Sequence, residues 1–283
     1  MEKVIRTIQW DYAHRQNITG RNVTIAYLDT GITPHRDFIN PQNRIICFKD
    51  FVNHRIHPYD DHGHGTHVAG IGSSAKIGIA PESNIVALKV LNRFGNGNCI
   101  NLIRCFQWIL DYMDVYKIKI VNISIGMDDE YSASKRKELT EWVERLWDRG
   151  LIICISGGNM GPEQYSITSP GTSYKVITIG SCDDDKNPYS GRGPTKDCIM
   201  KPDLTAPGTN ILSCYSSSHY TERSGTSMAT PIVSGAIALY LEKYPASTNK
   251  MIKLKLRSSC DDLGLPYNQQ GWGRINIQKL LQN

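Results

Sequence analysis

Residues 23–31, Val-Thr-Ile-Ala-Tyr-Leu-Asp-Thr-Gly, form a mostly apolar and β-branched run that ends in an aspartate and a glycine. A continuous run of this kind is typical of a strand buried on both faces of a parallel sheet. We therefore predict a strand over residues 23–28, with Asp29 at its end. Four similar runs follow along the chain: NIVALKV (84–90), KIVNISI (119–125), LIICIS (151–156) and KVITIG (175–180).

Helix-length segments separate these runs. Residues 99–116 and 134–149 carry apolar side chains at three- and four-residue spacing, and the second segment stops at Gly150. The alternation predicts an α/β fold, a doubly wound and mostly parallel sheet with helices on both faces. A further helix is expected from Thr248 to Arg257. Because no linker or repeat interrupts the pattern, we expect one domain over residues 1–283.

Composition excludes several classes of protein. The 283 residues are 40% hydrophobic and 21% charged, which is ordinary for a globular chain. The net charge of +5 is small and no basic stripe is interleaved with aromatic residues, so we expect no nucleic-acid partner. No stretch approaches the roughly 18–20 apolar residues of a membrane span, so no membrane partner is expected.

The N-terminus and the cysteines predict a cytoplasmic location. Residues 1–15 carry charges where a secretory signal needs an apolar region. The eight cysteines include no CxxC pair, which favours free thiols in a reducing compartment over a disulfide framework.

Three motifs each place a reactive side chain beside glycine, at the end of a predicted strand or the start of a predicted helix. They are Asp29-Thr30-Gly31, His-Gly-His-Gly-Thr-His-Val-Ala-Gly at 62–70, and Ser-Gly-Thr-Ser-Met-Ala-Thr-Pro at 224–231. In a parallel α/β fold, ligands bind beyond the carboxyl ends of the strands. An aspartate, a histidine and a serine that meet there can act as orienting carboxylate, base and nucleophile.

The order Asp, His, Ser and the residues around each motif resemble the subtilisin-like serine peptidases, and among them the intracellular members. Residues 89–91, 122–126, 156–159 and 202–208 also resemble landmarks of this family, so the likeness runs from about Gln9 to Leu280. The resemblance implies a serine endopeptidase that acts in protein turnover or precursor processing.

The resemblance also implies catalytic roles for four residues. Ser227 would form the acyl-enzyme, His64 would act as general base and acid, and Asp29 would orient His64. The Asn159 amide and the N–H of Ser227 would stabilise the oxyanion.

A peptide or protein substrate is expected to bind in extended form along two glycine-containing segments. The pocket for the residue before the cut is expected to have Thr168 near its floor and to be uncharged, which favours a neutral or apolar residue there. Asp128 and Asp129 leave a basic residue open as the alternative. The implied substrate-binding residues are Gly95, Asn96, Gly97, Ser124, Ile125, Gly126, Ser156, Gly157, Gly158 and Thr168.

No cofactor is expected to be required. The family often binds calcium through a longer loop after the histidine motif, whereas here only residues 71–79 intervene and they contain no carboxylate. Asp37 nevertheless stands where the family has one calcium ligand. A weaker cation site at carbonyls near Gly171 and Val176 remains open.

Secreted members of the family carry a long pro-domain, whereas only 28 residues precede Asp29. Either the protein is made active in the cytosol or the sequence lacks a cleaved portion. Two other functions stay open as alternatives. The spacing of His62, His64 and His67 also occurs in binuclear zinc hydrolases. A non-catalytic homologue with a binding or regulatory role is the other. The sequence predicts no oligomeric state.

Overall fold

The computed structural model describes residues 1–126 and 132–282, so Asp128 and Asp129, on which the alternative basic specificity depends, lie outside the described residues. Within these ranges, seven strands form one parallel sheet. The strands are β1 (Thr24–Asp29), β2 (Ile45–Asp50), β3 (Asn84–Lys89), β4 (Ile118–Ile123), β5 (Ile152–Ser156), β6 (Ile177–Ser181) and β7 (Leu204–Ala206).

The strand order is β2-β3-β1-β4-β5-β6-β7. From β1 the chain runs to the edge strand β2, returns to β3, and then crosses to the other side of β1 and winds outward from β4 to β7. All five strands predicted from the apolar runs are present, within two residues of the expected bounds. The fold confirms the predicted doubly wound α/β architecture. The sequence reasoning missed β2 and β7, and also an antiparallel hairpin formed by β8 (Ile211–Tyr215) and β9 (His219–Arg223).

Helices surround the sheet. Two of them, α4 and α7, pack on each other and α7 also lies against β4, β5 and β6, while α5 packs on α6 and α6 contacts β5. No helix among the described residues has the length and apolarity to cross a membrane. The helices are α1 (Glu2–Thr7), α2 (Asp11–Arg15), α3 (Arg36–Ile39), α4 (His64–Ser73), α5 (Cys99–Tyr112), α6 (Ala133–Asp148), α7 (Thr226–Lys243), α8 (Asn249–Ser259), α9 (Tyr267–Gln270) and α10 (Ile277–Leu281).

Side-chain caps explain where the predicted helices begin. The Oγ of Ser132 accepts a hydrogen bond from the N–H of Lys135 at the start of α6, and Thr248 caps α8 in the same way. Helix α5 ends at Tyr112, four residues before the predicted end. A turn with Lys117 at a φ of 52° leads from there into β4.

Strand register brings the predicted site to one edge of the sheet. Leu28 of β1 pairs with Ile123 of β4, so Asp29 and Ser124 leave the sheet side by side. Ile123 in turn pairs with Ile155 of β5. Because parallel strands all end at the same edge, the residues after β1, β4 and β5 lie close together there.

Candidate active site

Asp29 and His64 form a direct pair. Asp29 is the last residue of β1 and only 1% exposed, and its Oδ1 accepts hydrogen bonds from Nδ1 of His64 at 2.7 Å and from the N–H of Thr30 at 2.7 Å. Because a carboxylate can only accept, Nδ1 must carry the imidazole proton. The other ring nitrogen, Nε2, is then free to take up a proton. The His64 side chain is 18% exposed, so a substrate can approach it.

The charge of Asp29 makes His64 a stronger base. Burial by itself would lower the pKa of His64, but the charge of Asp29 and its hydrogen bond outweigh burial and raise the pKa above the usual 6.5. The cation of Arg223, on β9, acts in the opposite direction.

Asp60 builds the start of helix α4, and the sequence reasoning missed it. Its Oδ1 accepts hydrogen bonds from the N–H of Gly63 at 2.7 Å and the hydroxyl of Thr30 at 2.8 Å, while its Oδ2 accepts from the N–H and the hydroxyl of Thr66. Burial would raise the pKa of Asp60, but hydrogen bonds led by that of the Thr66 hydroxyl lower it. An aspartate just before a glycine-flanked helix start is a common capping residue, and this signal could have identified it.

Two positions of the histidine motif require glycine for conformational or steric reasons. Gly63 has a φ of 85°, which favours glycine. A Cβ on Gly65 would lie 3.0 Å from the Cβ of Asp29, so a side chain there would push the aspartate and the histidine helix apart.

Ser227 is the second residue of α7 and is tied to the end of β4. Its Oγ donates to the main-chain O of Ser124 at 3.2 Å, and the Oγ of Ser124 donates to the main-chain O of Ser227 at 3.2 Å. Among the residues that the structure describes, this bond to Ser124 is the one found for the Ser227 hydroxyl. These two hydrogen bonds hold Ser227 at the end of β4, the strand that pairs with β1, which ends at Asp29.

Asn159 lies beside the same helix start. Its Oδ1 accepts hydrogen bonds from the N–H of Thr226 at 2.9 Å and from the Thr226 hydroxyl at 3.0 Å. Because the N–H can only donate, the oxygen must face it, and the Nδ2 donors are turned away from it. The N–H of Ser227 has no partner inside the helix, since the first N–H groups of a helix have none. Both groups can donate to an anion at this helix N-terminus.

The predicted substrate-binding residues fall into two groups. Leu91 and Gly97 form an isolated antiparallel bridge, which folds Gly95, Asn96 and Gly97 into a turn beside His62. A Cβ on Gly95 would lie 3.3 Å from the Nε2 of His62.

The second group converges near Ser227. Ser156 ends β5, Gly157 accepts a hydrogen bond from the N–H of Thr168 at 3.1 Å, and the N–H of Gly158 donates to the Thr226 hydroxyl at 3.2 Å. On the opposite side, Ser124, Ile125 and Gly126 follow β4, and Gly126 approaches the side chain of Thr168.

The three histidines of the zinc alternative do not converge. His67 is fully buried, its Nε2 lies 3.1 Å from the main-chain O of Thr221, and burial lowers its pKa to about 4. His64 is already paired with Asp29. Within residues 1–126 and 132–282, possible metal-ligand atoms gather at His35, Asp37 and Cys214 instead.

That second cluster is satisfied internally. The N–H of Asp37 donates to Nδ1 of His35 at 3.1 Å, and the Asp37 carboxylate accepts hydrogen bonds from the hydroxyls of Ser74 and Tyr220 at 2.6 and 2.9 Å.

The fold and its relatives define a subtilisin-like serine protease domain. The model of the subtilase family matches residues 20–273, and the chain belongs to that family. It is 39% identical to serine protease AprX of Bacillus subtilis (strain 168), over 87% of this chain and 63% of AprX. It is 30% identical to subtilisin DY of Bacillus licheniformis, over 98% of this chain and 97% of the relative.

A crystal structure of a cold-adapted subtilisin-like serine proteinase matches with a TM-score of 0.77 and 28% identity, covering 92% of this chain and 90% of that one. Not every relative is so similar in length. The chain spans less than two thirds of AprX and 40% of the minor extracellular protease Epr of B. subtilis, to which it is 33% identical.

Proposed function

We propose that this chain is a serine endopeptidase that cleaves peptide bonds through an acyl-enzyme on Ser227. The observation that carries the proposal is the bond of 2.7 Å between Asp29 and Nδ1 of His64, at the sheet edge where Ser227 lies in the first turn of α7. It leaves Nε2 of His64 free to accept a proton, and the Ser227 hydroxyl lies at the same edge of the sheet, bonded to the main-chain O of Ser124.

In the first step, the Ser227 hydroxyl turns its proton from the Ser124 carbonyl to Nε2 of His64 and attacks the carbonyl carbon of the substrate. His64 becomes an imidazolium, and the carboxylate of Asp29 stabilises that charge. The negative charge that develops on the substrate oxygen is met by Nδ2 of Asn159 and the N–H of Ser227.

In the second step, His64 returns the proton to the leaving amine, which breaks the peptide bond and leaves the acyl group on Ser227. His64 then takes a proton from water, whose oxygen attacks the ester carbonyl. The intermediate collapses as His64 gives that proton to the Ser227 oxygen, which breaks the ester bond, releases the acid and restores the serine hydroxyl. The substrate lies extended between the turn at 95–97 and the segment 124–126, whose glycines admit another backbone.

We place this activity inside the cell, in protein turnover or precursor processing. All eight cysteines are free, and Cys99, Cys105, Cys154 and Cys214 among them are buried. Such usage is ordinary in a reducing compartment. Western blotting of cytosolic and secreted fractions tests the location, and accumulation of mature protein only outside the cell would refute it.

We also propose that the enzyme requires no calcium, since cationic side chains of the chain itself bind main-chain oxygens at both locations that the sequence left open for an ion. Near Asp37, the guanidinium of Arg44, only 7% exposed, donates to the main-chain oxygens of Asp37, Ser73 and Ser83. A divalent ion bound to those carbonyls would face this buried positive charge, so the residues do not fit calcium.

The carbonyls near Val176, where the sequence left a weaker cation site open, are also bound by cationic side chains of the chain itself. Nζ of Lys253 donates to the main-chain oxygens of Tyr174, Lys175 and Val176 at 2.8, 3.0 and 2.8 Å. Nζ of Lys201 donates to Val176 as well, at 3.0 Å. Ammonium groups thus bind the carbonyls near Val176 in place of a free cation.

The test of the peptidase is covalent labelling by an organophosphorus reagent together with peptide hydrolysis. Wild-type protein should be labelled on Ser227 and cut a mixed peptide library. Ser227→Ala should fold, lose labelling and lose activity by several orders of magnitude. Ser258→Ala, which changes an exposed serine on α8, is the matched control and should behave as wild type. Unchanged hydrolysis by Ser227→Ala would refute the proposal.

A further inference from the structure

Next to Ser227, two chain segments leave a gap between them. Ser124 contacts the Ser227 hydroxyl and its chain continues to Gly126, while Asn159 holds Thr226 and is preceded by Gly158. In the proposed reaction, the residue before the cut becomes bonded to Ser227. Its side chain therefore enters the gap between these two segments.

The side chain of Thr168 fills the far end of the gap. A Cβ on Gly158 would lie 2.6 Å from both Oγ1 and Cγ2 of Thr168, and a Cβ on Gly126 would lie 3.0 Å from its Cβ. Neither wall therefore has room for even one methyl group beside Thr168. The two glycines and the threonine form two walls and a floor in contact.

The floor is held in place from two sides. The N–H of Thr168 donates to the main-chain O of Gly157 at 3.1 Å, which ties it to one wall. The next residue, Ser169, donates through its Oγ to the main-chain O of Arg136 on α6 at 3.2 Å. Moving Thr168 away from the gap would break these bonds.

Beyond this floor lies empty space. A cavity of about 580 Å³ has Thr168 in its lining together with Ile167, Thr140 and Tyr174, whereas Gly126, Gly158 and Ser227 are not among its described lining residues. Thr168 thus lies between the gap beside Ser227 and this cavity.

We propose that Thr168 closes the pocket for the residue before the cut, so that the enzyme selects small side chains such as those of Gly, Ala and Ser. This inference rests on the proposed function and narrows it to a substrate class. An aromatic ring would have to displace Thr168 or leave the gap, and such overpacking is unfavourable. A glycine at position 168 would join the gap to the cavity and admit a ring.

The experiment compares succinyl-Ala-Ala-Pro-Ala-p-nitroanilide with succinyl-Ala-Ala-Pro-Phe-p-nitroanilide on wild type and Thr168→Gly. The measured quantity is the ratio of the two kcat/KM values, because inactive protein in a preparation cancels from it. Wild type should favour the Ala peptide by at least tenfold, and Thr168→Gly should favour the Phe peptide by a similar factor.

Thr168→Val is the matched control for size. It keeps the shape of the side chain, and no hydrogen bond is lost because Oγ1 of Thr168 is buried without a partner among the described residues. The variant should keep the preference for Ala. A Thr168→Val protein that accepted Phe as Thr168→Gly does would overturn the steric explanation.

Failure of this inference and failure of the proposed function give different results. A wild type that is labelled on Ser227 but cuts the Phe peptide as fast as the Ala peptide overturns the role of Thr168 alone, as does a ratio unchanged in Thr168→Gly. Labelled protein that cuts neither peptide overturns it as well. A wild type that is neither labelled nor active overturns both.

Discussion

Arg44 is the residue on which the proposed independence from calcium depends most directly. Arg44→Met keeps a long apolar stem but removes the guanidinium that donates to the main-chain oxygens of Asp37, Ser73 and Ser83. Those oxygens belong to α3, to the end of α4 and to the turn before β3, so the side chain joins three parts of the fold.

The expected loss of stability follows from these contacts. A hydrogen bond from a charged donor contributes roughly 1.5–3 kcal/mol, but removing the guanidinium also relieves the cost of burying its charge. A buried acceptor that loses its donor costs about 1–3 kcal/mol, and three acceptors lose one here, so after the relief of burying the charge we expect a net loss of about 3–5 kcal/mol. At about 2 °C per kcal/mol for a chain of this length, the melting temperature should fall by about 6–10 °C.

The assay is thermal unfolding followed by circular dichroism, with every protein carrying Ser227→Ala so that self-digestion cannot distort the curve. In the parent protein, which carries Ser227→Ala alone, 5 mM calcium should move the unfolding midpoint by less than about 2 °C relative to EDTA, because a ligand that does not bind adds nothing to stability. Arg21→Met is the matched control, since Arg21 forms an exposed ion pair with Glu82 and should leave the midpoint nearly unchanged.

Two results would refute the reasoning about Arg44. One is a rise of more than about 5 °C when calcium is added to the parent protein, which by the same scaling would exceed a kcal/mol of binding energy and reveal an ion site. The other is an Arg44→Met midpoint within about 2 °C of the parent.

Three further predictions follow from the site. Asn159→Ala should lower kcat by about 10²–10³ with little change in KM, the effect of removing one such donor from a subtilisin; steady-state kinetics decide, and a rise in KM alone would assign Asn159 to substrate binding. The acid limb of kcat/KM should lie above pH 6.5, because activity needs neutral His64 and Asp29 raises the pKa of His64. Arg223→Gln should move this limb to higher pH, because the Arg223 cation lowers that pKa. A shift of the limb to lower pH in Arg223→Gln would contradict this electrostatic effect. Asp60→Ala should lower the melting temperature more at pH 7 than near pH 3. A carboxylate with a lowered pKa stabilises the fold above its unfolded pKa of about 3.8, and this contribution is lost as the carboxylate is protonated. Equal losses of melting temperature at both pH values would exclude this charge effect.

The sequence predicted the strands that cross the middle of the sheet because burial on both faces leaves an unbroken apolar run, as in residues 151–156. It missed β2, whose side chains apart from Asp50 are half-buried or exposed, and β7, which is three residues long. The hairpin of β8 and β9 was missed for a related reason, since the side chains of β9 are exposed or half-buried. The pattern of apolar residues therefore identified the longer strands that are buried on both faces and missed the short β7 and those with half-buried or exposed side chains.

The pairing of Asp29 with His64 was predicted from short motifs, because each residue stands beside glycine, Asp29 after an apolar run and His64 at a predicted helix start. Arg44 was beyond such reasoning. Its partners lie up to 39 residues away, and nothing local distinguishes it from an ordinary charged residue. Which carbonyls surround a charge is decided by the tertiary fold.

The internal cations connect the stability of the fold to its proposed setting. A bound metal stabilises a protein only while the free ion is present, because its contribution depends on the free concentration. Arg44 and Lys253 are covalently part of the chain, so their contacts with the carbonyls of Asp37 and Val176 do not depend on any free ion. The chain should therefore unfold at the same temperature in chelator as in calcium. This expected independence suits the proposed setting inside the cell, where free calcium is scarce.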